Sequence, residues 1–323
     1  MLRIRECSDP DECQHIWKQV WPLQGIFDFW EIRACFLKDF NRPSHFLVAE
    51  KRNSIRGVLP LSWVSEEKYF AMFPGETWKG KTWLEQNRIP AHTAYIRNAL
   101  LTSIPGAAHL RYLTPESTNI PSIHCETDET GYIFSPRQYG YTFSNYIQQL
   151  SAKFRKNYTR EISRLELFGL SYRHNCVNDV DHLFRMNLEA FGDASYFCDK
   201  RFLRSFENLV AWLSKNKLLR ITTILIAGHV AAVDIGAVWA GNYTVLAGGT
   251  NPEFKGVAKL INFHHIEWSC AERIASVDFL CGDFGWKERF RLSPRPLYQI
   301  KTGTADNVMP DAIHSERKVS CAL

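Results

Sequence analysis

Apolar and polar positions along this chain fall into short alternating runs and longer runs at helical spacing. Leu2–Glu6 alternates as a strand, and Ser8-Asp9-Pro10-Asp11 supplies a cap and an acidic first turn for a helix to about Val20. Phe27–Phe40 reads as a second helix, stopped by Asn41-Arg42-Pro43. Ser44–Glu50, Ser54–Val64 and Lys68–Phe73 read as strands, with Asn53 and Gly57 near the first turn. A helix over Ala91–Leu101 and a strand over His109–Leu113 follow, and the Pro-, Ser- and Thr-rich run Thr114–Glu129 reads as a loop.

The second half repeats this order more clearly. Phe143–Leu150 and Ser151–Phe168 are helical, and Gly169 ends the second of them. After a strand at Leu170–His174 come helices over Asp179–Phe191 and Asp199–Ser214. Three strands follow, Leu219–Ile226, His229–Trp239 and Tyr243–Gly249, the first two joined by an Ala227-Gly228 turn. A long helix over Gly256–Ala275 leads to a short strand at Val277–Leu280 and a last one near Leu297–Ile300. Both halves therefore read strand, two helices, three antiparallel strands, helix, strand. That is an α/β (α+β) fold of two domains, with the boundary in the stretch 135–150.

Composition changes this picture little. With 323 residues, 45% hydrophobic and 23% charged, the chain reads as an ordinary globular protein. Aromatics at 13% suggest wide apolar surfaces and clefts. The net charge of +5 suits an anionic ligand such as a coenzyme, and is too small to announce a nucleic-acid binder. Nine Cys, an odd number without a C-x-x-C pair, read as reduced thiols in a cytoplasm. The N-terminus shows no apolar signal core, and the apolar runs are too short to span a bilayer. No P-loop, G-x-S-x-G or H-E-x-x-H occurs, and no metal site is expected, since His264-His265 lacks a ligand spacing.

Four segments in order carry a family resemblance. They are the basic helix Ser151–Phe168, with Lys153, Arg155, Lys156, Arg160 and Arg164; the hairpin Leu219–Trp239; the run Gly249–Leu260; and Val277–Lys287. Together they resemble the GNAT-like acyltransferases grouped with the FemAB peptidyltransferases, the BioF2-like acetyltransferase domain. The resemblance implies two tandem GNAT-like domains, each a mixed, mostly antiparallel sheet flanked by helices. Residues 1–140 form the first, on the acceptor side; residues 141–305 form the acyltransferase domain; residues 306–323 form a tail.

It also implies chemistry. Lys255, Gly256, Val257, Ala258 and Lys259 fit the turn where GNAT enzymes hold the pyrophosphate of acyl-CoA or acetyl-CoA at a helix N-terminus. Glu253 stands where the family carries Gln or Arg, and a carboxylate there repels a pyrophosphate. Asp283 and Lys287 are the candidate catalytic residues. The Lys neutralises donor phosphate or an oxyanion, and the Asp pairs with it or accepts the amine proton. Trp286 stands where the family usually shows Tyr. Trp78, Lys79, Lys81 and Glu85 in the loop 75–85, with Trp239 and Trp286, are candidate substrate contacts, since cations beside rings suit an anion that carries a ring or sugar.

Three activities remain open on this reading. One is acyl transfer from acyl-CoA to an amine, on a small molecule or a cell-envelope precursor. The second uses aminoacyl-tRNA as the donor. The third is a GNAT scaffold that binds without catalysing.

Overall fold

The computed structural model describes residues 1–118, 125–282 and 285–303. They divide into two compact units. Among the described residues, unit 1 takes 1–129, 204–209 and 296–303, and unit 2 takes 130–203 and 210–295.

In unit 1, β1 (Arg3–Cys7) leads to α1 (Pro10–Val20), which Asp9 caps by accepting from the Glu12 amide at 2.8 Å. After α2 (Trp30–Phe40), Asn41 turns left-handed at φ 49°. Strands β2 (Ser44–Lys51) and β3 (Ser54–Val64) form a hairpin whose turn, Arg52-Asn53, has positive φ at both positions. Such turns match the right-handed twist of the flanking strands. β4 (Tyr69–Met72) precedes a two-rung hairpin, β5 (Thr77–Trp78) with β6 (Lys81–Thr82), turned by Lys79 and Gly80, also at positive φ. Then come α3 (Ala94–Thr102), β7 (Ala108–Leu113) and α4 (Pro115–Thr118).

The sheet of unit 1 runs β1-β2-β3-β4-β7. Its core is aromatic: Trp17 stacks on Trp21 at 3.8 Å and Trp30 on Phe73 at 4.8 Å. Arg33 is buried within this layer and donates to the carbonyls of Phe27 and Phe73; burial lowers its pKa to about 10.

β8 (Glu126–Phe134) occupies the end of a run expected to be a loop. Its first residues, Glu-Thr-Asp-Glu, lack the apolar alternation that marks a strand, so the ladder and not the pattern defines it. In unit 2 follow α5 (Phe143–Gln149), α6 (Ala152–Leu167), β9 (Leu170–His174) and α7 (Val180–Phe191); α8 (Lys200–Lys215) comes next, its residues 204–209 counted with unit 1. Next are β10 (Leu219–Ile226), β11 (His229–Trp239), β12 (Asn242–Thr250), α9 (Val257–Ala271) and β13 (Ser276–Asp278). Ala227 and Gly228 make the β10–β11 turn at positive φ. The order in the sheet is β8-β13-β12-β11-β10-β9, all neighbours antiparallel except β12 and β13. The last strand, β14 (Ser293–Thr302), pairs antiparallel with β7.

Two glycines in β12 fix what lies on either side of the sheet. A Cβ on Gly249 would stand 2.5 Å from the Leu183 carbonyl oxygen, so α7 rests directly on the strand. A Cβ on Gly248 would fall well inside contact with the carboxylate of Asp234. Gly in a strand interior marks such close approaches. Gly249→Ala pushes against the Leu183 backbone and the Met186 Cβ and must displace α7. It is expected to destabilise the protein by about 1–3 kcal/mol, read as a lower urea midpoint at unchanged slope.

Candidate functional site

The parallel ladder of β12 and β13 has three rungs, from Asn242↔Ser276 to Thr244↔Asp278. β12 continues to Thr250, whereas β13 ends at Asp278. From Val245 onward β12 thus runs beyond its ladder with β13, and this stretch leads straight into the loop that opens α9. On that stretch Asn187 of α7 donates to the Gly248 carbonyl at 2.9 Å and is itself held by Ser195 at 2.8 Å.

Gly256 precedes α9 in left-handed backbone, φ 94°, and no side chain caps the helix. An uncapped helix start offers orphan N–H groups and a positive dipole end, which together suit an anion. The structure seats one nearby. Glu161 of α6 has an Oε2 atom 3.4 Å from where a Gly256 Cβ would be, and it accepts from the Lys259 ammonium at 2.6 Å. Lys259 is buried and Glu161 is a fifth exposed. Arg164, one turn further along α6, donates to the Lys255 carbonyl at 2.7 Å. Val257 is buried, whereas Lys255, Ala258 and Glu253 face solvent. The Glu253 amide donates to Asn251 Oδ1 at 2.9 Å, closing the turn locally.

The chain leaving β13 is held by Lys287. Its ammonium donates to the carbonyls of Phe279 at 3.0 Å, Leu280 at 2.7 Å and Cys281 at 2.9 Å, and the residue is 2% exposed. Leu280 and Gly282 both have positive φ, so this segment turns sharply around the ammonium. Tyr132 and Trp286 present their rings to it at 5.3 and 5.9 Å. Trp286 packs edge-on against Phe279 and Phe290 in the aromatic core. Asp283 lies outside the described residues.

The other candidates are placed separately. Trp239 ends β11 opposite Asn242, at the turn end of the β11–β12 ladder and away from Gly256. In unit 1, Lys79 and Lys81 bring their ammonium groups to 4.8 and 5.8 Å from the Trp78 ring, a cation–π cluster at a hairpin tip. Burial, helped by Lys79, lowers the Lys81 pKa. Glu85 is buried, as is Glu76, which accepts from the Thr82 hydroxyl and the Leu84 amide. Burial raises the Glu76 pKa.

Residues 152–288, the segment that contains most of this unit 2 geometry, match the family model of the acetyltransferase (GNAT) domain. This segment is similar to a GNAT domain. Solved structures extend the likeness to the whole chain. FemX is 9% identical with a TM-score of 0.57, over 91% of this chain and 96% of that one. L-PGS from Bacillus licheniformis is 10% identical with a TM-score of 0.55, over 93% and 94%. A tandem GNAT protein from the clavulanic acid biosynthesis pathway is 10% identical with a TM-score of 0.51, over 95% and 100%. At such identities the likeness is one of fold, that of two tandem GNAT-like domains. No curated protein matches the sequence.

Within this GNAT-like segment, the α9 histidines form a network that sequence reasoning set aside. His265 is fully buried, its Nε2 2.9 Å from Asp234 Oδ2 on β11 and its Nδ1 3.5 Å from the Tyr243 hydroxyl on β12. His264 stacks on Tyr172 at 4.3 Å and His174 at 5.4 Å, and burial lowers its pKa to about 3. Among the described residues no three His, Cys, Asp or Glu stand close enough to hold a metal, and no helix is long and apolar enough to cross a membrane. Glu161 and Asn187 were also missed. The Gly248-Gly249 pair was the signal available for Asp234 and α7. Glu161 had none, because its helix reads as basic.

Proposed function

We propose that the chain transfers an acyl group from acyl-CoA to an amine acceptor, with the GNAT domain as the catalytic one. The observation that carries this reading is the path formed by the end of the β12–β13 ladder, Gly256 and the uncapped start of α9. The residues there fit an anion, since the Glu161 carboxylate already occupies the position beside Lys259. The amine attacks the acyl carbonyl, a C–N bond forms, the C–S bond breaks, and the thiol leaves with the proton that the amine gives up. The protein supplies orientation and a shaped, polarised site.

Lys255, Gly256, Val257, Ala258 and Lys259 are assigned to the donor phosphates. Asp283 is assigned to the amine proton. Lys287 has committed its three protons to backbone carbonyls. We therefore assign it to positioning the segment after β13. Trp78, Lys79 and Lys81 are assigned to the acceptor. The work is assigned to the cytoplasm.

A second reading, aminoacyl-tRNA as donor and a cell-envelope precursor as acceptor, is favoured by two features. Glu253 leaves an exposed carboxylate in the donor loop, and Lys153, Lys156 and Arg160 form an exposed row on α6. Acetyl-CoA at millimolar concentration is expected to raise the melting temperature and, with a panel of amines, to release free thiol. No shift and no thiol release sink the CoA reading. Binding of charged tRNA that weakens steeply with salt supports the second.

A further inference from the structure

Helix α6 carries large apolar side chains on two sides, and only one side is packed. At about 100° per residue, Phe154, Tyr158, Ile162 and Leu165 share a face. Phe154 and Tyr158 lie on Phe263 at 5.9 and 4.1 Å between ring centroids, and Ile162 and Leu165 join the core of Val257, Leu260 and Ile261. Lys153, Lys156, Arg160, Arg164 and Leu167 fall within about 80° on the opposite side, and all five are exposed. The helix is thus held firmly by its inner face, and it presents an outer stripe roughly 21 Å long at 1.5 Å per residue.

The charge of this stripe is one-sided. Among the described residues, Lys153, Lys156 and Arg160 have no carboxylate partner. Of the acids on α6, Glu161 is paired with Lys259, and Glu166 lies about a third of a turn round from the centre of the stripe. The loop that Arg164 holds adds Lys255 and Glu253, one charge of each sign. At the end of the stripe Leu167 stands 88% exposed, and Phe168 beside it 61%. Leu167 lies inside the cationic arc, so its exposure is not a ragged edge of the packed face. Cations that meet lipid phosphates and large apolar side chains that enter the acyl boundary are the two parts of a peripheral membrane contact.

We propose that the outer face of α6 seats this chain on an anionic lipid surface. Lys153, Lys156, Arg160 and Arg164 meet the headgroup phosphates, and Leu167 and Phe168 enter the acyl chains. This goes beyond both donor readings and needs neither of them. RNA would meet the same cations, but Leu167, the more exposed of the apolar pair, has no ring to stack on a base. A second copy across a two-fold axis would bring one cationic stripe against another. A lipid surface answers the charge and the apolar pair together.

The test is co-sedimentation of the full chain with vesicles of phosphatidylcholine, alone or with roughly one third phosphatidylserine. The wild type is expected to bind the anionic vesicles at least tenfold more tightly than the neutral ones, and to lose that difference as salt screens the contact. Replacing Leu167→Ser and Phe168→Ser together is expected to weaken binding to anionic vesicles at least tenfold. Replacing Lys156→Glu and Arg160→Glu together is expected to abolish it. All these positions are exposed, and thermal melting checks that both variants fold. Leu167→Trp, which keeps an apolar side chain, is expected to retain binding and to add a blue shift in emission on anionic vesicles. It reads insertion even if the Ser variant folds poorly. No binding of the wild type to anionic vesicles overturns the proposal. Binding that the Ser variant leaves unchanged and that tRNA competes away also overturns it, and makes the stripe a nucleic-acid contact. A wild-type dimer that the Ser variant converts to a monomer overturns it in favour of a second copy.

Discussion

Lys287→Ala is expected to cost the GNAT-like domain about 3–5 kcal/mol, the range for removing one partner of a buried, charge-assisted cluster. The ammonium is 2% exposed and donates to three successive carbonyls between 2.7 and 3.0 Å. Those carbonyls point inward because Leu280 and Gly282 hold left-handed backbone. Removing the cation leaves inward-pointing oxygens that lose a donor each, and water gains access only if the turn opens. Lys287→Met keeps the methylene stem and its packing between Tyr132 and Trp286 but not the donors. It is therefore expected to recover only a minor part of the loss. Lys287→Arg retains charge, but a planar fork does not reproduce three donors converging from one point. Urea unfolding of the three variants checks the order wild type, Arg, Met, Ala. A Met variant as stable as the wild type would remove the carbonyl cluster from the account. Because Lys287 acts through the turn it holds, the Arg variant is also expected to lose turnover with little change in donor affinity.

How far this was legible in the sequence differs between the fold and the site. Helices and strands follow from local signals: Asp9 before Pro10, turn residues at Asn53 and Ala227-Gly228, and apolar runs at Leu219–Ile226 and His229–Trp239. These depend on neighbours in the chain, and the pattern reports them. The order of elements in unit 2 and the position of Gly256 before α9 followed from the same signals. β8 was missed because its residues Glu126–Glu129 are all polar or charged, and pairing rather than pattern makes them a strand.

The site depended on partners distant in the chain. Lys287 reads in the sequence as a cation for donor phosphate or an oxyanion, and only the fold turns three carbonyls toward it. Glu161 sits 98 residues from Lys259, on a helix whose other charges are mostly basic. Reading that helix by net charge hides the one acid that matters. The compact units divide between Glu129 and Thr130, with 204–209 and the strand from 296 belonging to unit 1. The repeated order of elements, which put the boundary in the stretch 135–150, does not report such an arrangement, because segments from later in the chain complete the first unit.

Asp234→Ala is expected to destabilise by roughly 3 kcal/mol, the cost of stranding a buried polar group and opening a cavity beside it. Asp234 joins β11 to α9 through His265, 2.9 Å away and fully buried, and its carboxylate also fills the space that the missing Cβ of Gly248 leaves. Deleting the carboxylate therefore leaves His265 Nε2 without its acceptor and a void against β12 at the same time. Asp234→Asn keeps the shape and one hydrogen bond, and is expected to cost about 1 kcal/mol. His265→Leu removes the other partner and leaves a carboxylate in an apolar pocket, a loss as large as that of Asp234→Ala. The double replacement Asp234→Ala, His265→Leu is then expected to cost clearly less than the sum of the single losses, because neither partner remains to be stranded. Additive losses would show that the two residues do not act as a pair. The pair also ties α9 to β11, the neighbour of the strand from which its N-terminal loop departs. The same variants are therefore expected to loosen the first turn of α9, read as faster amide exchange at Ala258 and Lys259. Faster exchange there with unchanged donor affinity would detach this network from the donor position.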